Sequence, residues 1–412
     1  VTSISKFTLG LAILLGGTSA VAVAAQQQAA QAAAPAKEYK LSKEERAGIG
    51  PLQEAVNAKN TAAATAALPA AQVSAKGADA QYILGQLMLK LGLDSQNVAL
   101  QRQAIDVLLA TATTPEKDIA ILQLNKAALA ANAGDAKAAE EAMTRAAQLA
   151  PNDPQVIISL AEAKVAAKKP GEAVDLITKA IDLKKAAGQP VLESWYKRAL
   201  SLALQNKMAP QSIALSKSLV AAYPNQTNWR DALLIYRDNT QLDEATQLDV
   251  MRLMRAAKAL NGERDYYRFA HELRSGGFPA ESKAVLDEGI AAKFVDASKS
   301  PFKELIAANA GQIRGDRDGL AAAETKAKAA ADSKLATTTA DAYFGYGEYA
   351  KAAELYRVAL QKGGDANMLN TRLGAALALG GQKAEAEAAL KTVQGSRADL
   401  AVFWMAWLAN RG

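Results

Sequence analysis

The sequence contains no cysteine, which excludes disulfides and thiolate metal sites. It contains one histidine, His271, which excludes a multi-histidine metal centre. Aromatic residues make up only 5% of the chain, although half of it is hydrophobic. Many of those hydrophobic residues are alanine, the best helix former and the smallest side chain that still packs. The composition fits helices packed closely in pairs and does not suit a β-sandwich or a deep α/β core. A dense basic stripe is also missing. The formal net charge is +6 over 412 residues and the charges are interspersed, so nucleic-acid binding gains no support.

The usual catalytic arrangements are absent as well. His271 lies in His-Glu-Leu-Arg-Ser, and a zinc protease would need a second histidine where Ser275 stands. Nothing near it resembles a nucleophile elbow. Gly345 and Gly347 are not followed by the lysine-serine pair of a phosphate loop. No catalytic residue, cofactor or metal site is therefore assigned. Residues 237–274 look basic, yet Arg237, Arg252, Arg255, Lys258, Arg264, Arg268 and Arg274 are matched in number by Asp238, Asp243, Glu244, Asp249, Glu263, Asp265 and Glu272. A solvated, salt-bridged helix face is the expectation there.

The N-terminus has the pattern of a secretory signal peptide over residues 1–25. Lys6 precedes an apolar run over 7–17, and small residues follow, with cleavage expected after Ala24 or Ala25. The alternative is an uncleaved membrane anchor, for which the apolar run is short. A cleaved chain would be periplasmic or secreted, with no stable membrane span. Residues 26–43 hold an alanine- and glutamine-rich linker, and structure should begin at Ser42, where Glu45 completes a capping box.

What the rest of the chain has is a period. From Tyr343 to Leu360, one helix ends, Gly347 turns the chain, and Tyr349, Ala352, Tyr356 and Ala359 fall on one face of a second helix. The pattern returns 34 residues later: Ala340 maps to Gly374, Gly347 to Gly381, Ala352 to Ala386 and Tyr356 to Leu390. Ala127 maps to Ala161 and Trp195 to Trp229 at the same spacing. Pairs of helices with small residues at Ala127, Ala161, Ala340 and Gly374 cannot bury an apolar face alone, so neighbours must stack. Residues 243–260 read as a longer helix that departs from the pattern, and 302–331 as a weak pair around Gly315. Repeats are divided into 44–242 and 243–412, the latter ending in a helix at Val402–Leu408 that covers the array. Trp195, Trp229 and Trp404 are expected in the core, as are Tyr343, Tyr349 and Tyr356.

These features resemble the tetratricopeptide repeat over most of residues 78–408, and a secreted bacterial member is the nearest likeness. The resemblance implies an all-α, right-handed α-solenoid of stacked antiparallel helix pairs. It also implies an inner groove, lined by the first helix of each pair, that holds a protein or peptide partner. On that register the groove-facing candidates are Tyr196, Leu200, Arg230, Leu234, Arg237 and Phe344, with Ile158, Glu162 and Asp341 elsewhere. A mixture of aromatic, apolar and arginine side chains can anchor a peptide. Lysines and asparagines suited to a C-terminal carboxylate are not found, since Leu124, Ala128, Ile158 and Glu162 stand in their places. The functional expectation is a non-catalytic interaction scaffold of the cell envelope. Its rivals are an oligomerising spacer and an envelope-polysaccharide binder or processing protein.

Overall fold

The structure is a computed structural model that describes residues 39–411. The expected signal peptide lies outside the described residues, as does residues 26–38 of the linker. Among the described residues there are twenty α-helices, one short 3-10 turn and no strand. The helices stack as antiparallel pairs in an α-solenoid of the tetratricopeptide-like kind, divided into two compact units at Val191/Leu192. The division drawn at 242/243 from the sequence falls inside the second unit.

The first unit holds four pairs: α1 (Lys43–Asn57) with α2 (Thr61–Ser74), α3 (Ala78–Asp94) with α4 (Val98–Ala110), α5 (Glu116–Asn132) with α6 (Ala136–Leu149), and α7 (Pro154–Ala166) with α8 (Pro170–Ala186). The capping box forms as the sequence requires. Ser42 Oγ accepts from the Glu45 amide at 3.2 Å, and Glu45 accepts from the Ser42 amide at 2.8 Å. Glu45 also accepts from the Gly77 amide at 2.7 Å, which ties the start of α1 to the start of α3. That amide, together with the Ser42 amide, holds its carboxyl below the usual range. Gly92, near the end of α3, lets Gln101 of α4 come close: a Cβ would stand 2.9 Å from Gln101 Cγ.

The second unit begins with α9 (Glu193–Gln205), α10 (Ala209–Ala222) and α11 (Gln226–Asn239). Then comes α12 (Glu244–Ala256), followed by the pair α13 (Gly262–Ser275) and α14 (Pro279–Ala291). Next is α15 (Ser300–Ala329), a single helix of 30 residues where the sequence suggested a pair. Its glycines 311, 315 and 319 have open space around them, so they break nothing. Phe302, Leu305, Asn309, Leu320 and Ala327 keep one side buried along its length. The pairs α16 (Lys334–Gly345) with α17 (Tyr349–Gln361) and α18 (Ala366–Leu379) with α19 (Lys383–Lys391) follow. The 3-10 turn Gly395–Arg397 leads into α20 (Ala398–Ala409). α20 packs on α18 and α19, and also on α10, so the second unit closes on itself.

The tight places are where the period put them. Ala127, Ala161 and Ala340 are fully buried. A Cβ on Gly374 would stand 2.5 Å from Leu390 Cγ, so helices α18 and α19 approach at a distance only glycine allows. The turns between paired helices need one residue in the left-handed region. Gly134, Gly347 and Gly381 supply it in three of them, but Lys59, Lys168 and Lys207 do so in others, at φ of 52° to 59°. A lysine there carries backbone strain of about 1–2 kcal/mol, offset in part by its charge near a helix C-terminus.

Gly374→Val is expected to lower stability by about 1–3 kcal/mol through overpacking, and Ala127→Leu by a similar amount, read as a lower urea midpoint. Lys168→Gly should act in the other direction. Relief of strain exceeds the added freedom of the unfolded chain, and a gain of about 0.5–1 kcal/mol in the same titration is expected. An unchanged midpoint would show that the turn lysine is unstrained.

Candidate functional site

The first helices of the pairs in the second unit carry the positions that the sequence register assigned to a groove. Asp341 and Phe344 on α16 are buried, as are Thr371 and Ala375 on α18. The space around them is filled. With Asp249, Arg252, Arg372 and Trp404, the residues Phe344, Thr371 and Ala375 surround a gap with no room for a water-sized sphere. The side chains that fill the space come from α12.

α12 starts with Asp243 capping the Thr246 amide at 2.6 Å. It carries no antiparallel partner of its own and packs instead against α11, α13 and α18. Residues 248–254 are buried one after another, through almost two turns, so every side of the helix is covered. Leu248, Val250, Met251, Leu253 and Met254 join the apolar core of the unit. The two remaining residues of that run are Asp249 and Arg252. The solvated, salt-bridged face expected for them is therefore overturned: Asp249 is 2% exposed and Arg252 3%.

Their partners lie far away in sequence, which is why the sequence hid them. Arg252 donates to Glu281 of α14 at 2.7 Å and to Asp249 at 3.0 Å, with Asp341 3.7 Å away. Its guanidinium also lies over the rings of Phe344 and Phe278, 4.7 and 5.5 Å from their centres. Asp249 accepts from Arg372 of α18 at 3.1 Å and from Arg397 of the 3-10 turn at 2.6 Å. Asp341 accepts from Arg372 at 2.7 Å and from the Tyr356 hydroxyl at 2.6 Å. Glu281, Arg372 and Arg397 are buried too. Asp249, Glu281 and Asp341 thus balance Arg252, Arg372 and Arg397, and a dry site needs that balance.

The balance is not even at each carboxylate. Burial pushes Asp249 up, but the guanidiniums of Arg372, Arg252 and Arg397 outweigh it and leave its pKa below the ordinary 3.8. For Asp341 burial wins over Arg372 and Arg252, and its pKa is raised. Burial and the Asp341 carboxylate also push the Tyr356 phenol well above its usual range.

The residues offered for partner binding stand as follows. Tyr196, Leu200 and Phe344 are core residues at 1%, 7% and 5% exposure. Tyr196 sets its ring edge-on to Tyr223, at 6.1 Å. Arg230 pairs with Asp265 and donates to the Ala259 carbonyl, which pins α11 to the start of α13. Leu234 is half-buried against the core. Arg237 bonds its neighbour Asp238 at 2.9 Å. Trp229 and Trp404 are buried as expected, with the Phe403 ring of α20 beside Trp229, but Trp195 is only half-buried. Tyr343 and Tyr356 are buried, and Tyr349 is half-buried. Ile158 and Glu162 of the first unit are half-buried. His271 is exposed beside the Tyr267 ring. No group of metal-ligating side chains occurs among the described residues, and no described helix is long and apolar enough to cross a membrane.

No family model matches the chain. No curated protein matches it either. Among solved structures, a chain of "Structure of Naa15/Naa10 bound to HypK-THB" is similar at 14% identity. The match covers 86% of this chain and 70% of that one, with a TM-score of 0.20, a likeness too loose to carry an argument.

Two substitutions separate the roles of the buried carboxylates. Asp249→Asn leaves Arg372 and Arg397 facing an uncharged side chain and should cost about 3–5 kcal/mol at neutral pH. Asp341→Asn should cost less, because its carboxylate is the one that burial disfavours. The pH dependence differs in sign. The lowered pKa of Asp249 gives stability that is present above about pH 4 and lost as pH falls through its folded value. The raised pKa of Asp341 means that the fold gains as pH falls through it. In urea titrations at a series of pH values, Asp249→Asn should show a smaller acid loss than the parent, and Asp341→Asn should lack a gain on approach to pH 4. Equal costs for both variants would contradict the assigned imbalance.

Proposed function

We propose that this chain is a non-catalytic protein–protein interaction scaffold, a tetratricopeptide-like protein exported to the cell envelope. The observation that carries the reading is the architecture itself. The chain is built of stacked helix pairs, and the charged groups that converge around Arg252 are sealed from solvent and satisfied by one another. Such groups hold a fold together and have no access to a substrate. Support for export comes from the pattern of Lys6, the apolar run and the small residues before Ala25. Membership of the tetratricopeptide family rests on the 34-residue register.

Docking is assigned to surfaces other than the inner face of the second unit. Tyr196, Leu200 and Phe344 cannot anchor a peptide from the core. A second reading, self-assembly, has one observation in its favour. α15 exposes Ala308, Gly311, Gly315, Gly319 and Ala322 in a row at helical spacing, a face that allows close helix approach.

The test uses residues 26–412 immobilised against envelope extract, with the retained protein then purified and titrated by calorimetry. A single protein that binds saturably to monomeric chain is the expected outcome. A mass that rises with concentration, together with no retained protein, would transfer the role to self-assembly. Gly315→Leu would then be expected to return the chain to a monomer.

A further inference from the structure

We propose that α12 is an intramolecular ligand: the inner face of the second unit is a receptor for one helix bearing Asp-x-x-Arg, and the chain supplies that helix itself. The inference goes beyond the scaffold reading and does not depend on it.

Three observations carry it. The first is place. In a solenoid of helix pairs the inner side of each first helix is the side left open for a partner. Here α18 has residues 371–378 buried without a break: α17 and α19 stack on it, and α12 and α20 cover it as well. α12 therefore occupies the position that a docked helix would take.

The second is charge. The receptor side presents two arginines, Arg372 and Arg397, to Asp249, and two carboxylates, Glu281 and Asp341, to Arg252. Acid meets base twice, in a crossed arrangement, three residues apart along α12. A slip of one residue along the helix would rotate both charges away from their partners and into apolar surroundings. Recognition of this kind specifies register and excludes helices that lack the pair.

The third is attachment. α12 is joined to its neighbours by short stretches, 240–243 and 257–261, in which Gln241 and Lys258 are exposed. Lys258 takes a left-handed conformation, at φ 54°, that turns the chain out toward α13. The helix is thus held by its contacts within the groove and joined to the chain at both ends, with Ala259 and Leu260 of the second stretch themselves buried. Tethering raises its effective concentration far above that of a free helix, so the groove stays closed to outside helices. A helix able to enter must carry the same acid and arginine with Leu, Val and Met around them.

The experiment is to place a protease recognition sequence at Gln241 and another at Lys258 of the full chain, and to cut both. The probe is a labelled synthetic peptide of residues 241–258. The expected result is that the cut chain keeps its helical signal, the excised segment co-elutes with it, and the probe exchanges in. A probe carrying Asp249→Ala and Arg252→Ala should bind at least about 100-fold more weakly. The uncut chain should take up neither probe. Collapse of the unit on cutting, or equal binding of both probes, would overturn the proposal, since α12 would then be ordinary core. If the insertions themselves prevent folding, the uncut double variant Asp249→Ala, Arg252→Ala takes their place. Its own α12 is loosened, so it should capture the unaltered probe, and failure of that folded variant to capture it would overturn the proposal equally.

Discussion

Six charged side chains share one dry volume in the second unit, and the arrangement of that unit follows from the need to keep them paired. Taking a carboxylate or guanidinium out of water costs several kcal/mol even after relaxation. Three of each sign can be kept there only if every one has its partner at hydrogen-bonding distance. Those partners sit on α12, α14, α16, α18 and the turn before α20, so the network joins five separate stretches of chain into one geometry. Arg252 is its centre. It bonds carboxylates along its edges and lies over Phe344 with its face, a use of the planar guanidinium that lysine could not replace.

Around this network the alanine-rich repeat supplies the packing. Small residues at Ala127, Ala161, Ala340 and Gly374 let paired helices approach, and large ones such as Tyr356 fill the gaps between pairs. Closure of the second unit adds a third kind of contact. Phe403 of α20 meets Trp229 and Tyr236 of α11, and the Tyr236 hydroxyl donates to the Ser396 carbonyl at 2.8 Å. A repeat array that closes in this way gives up its groove and gains a core.

The period of 34 residues was legible because stacking imposes the same size demand at the same place in every unit. That made the pairs, the turns and the closing helix readable from residues alone. At Asp341 and Phe344 the sequence pattern placed an open groove, whereas both are buried. What filled the space was not readable. Counting seven positive against seven negative charges in 237–274 suggested local pairing on a wet surface, whereas Asp249 and Arg252 reach partners 29 to 148 residues away. Sequence distance carries no sign of such pairs. The neutrality of the segment was real, but its cause lay outside the segment.

The sequence by itself determined the helices, their pairing and the tight contacts between them, because propensity, period and side-chain size act locally. It also determined the capping box at Ser42 and the turn at Gly347. Only the tertiary structure decided that α15 is one continuous helix, that α12 turns inward, and that the second unit closes. Those outcomes depend on which distant side chains meet, and on the cost of leaving a buried charge without its partner.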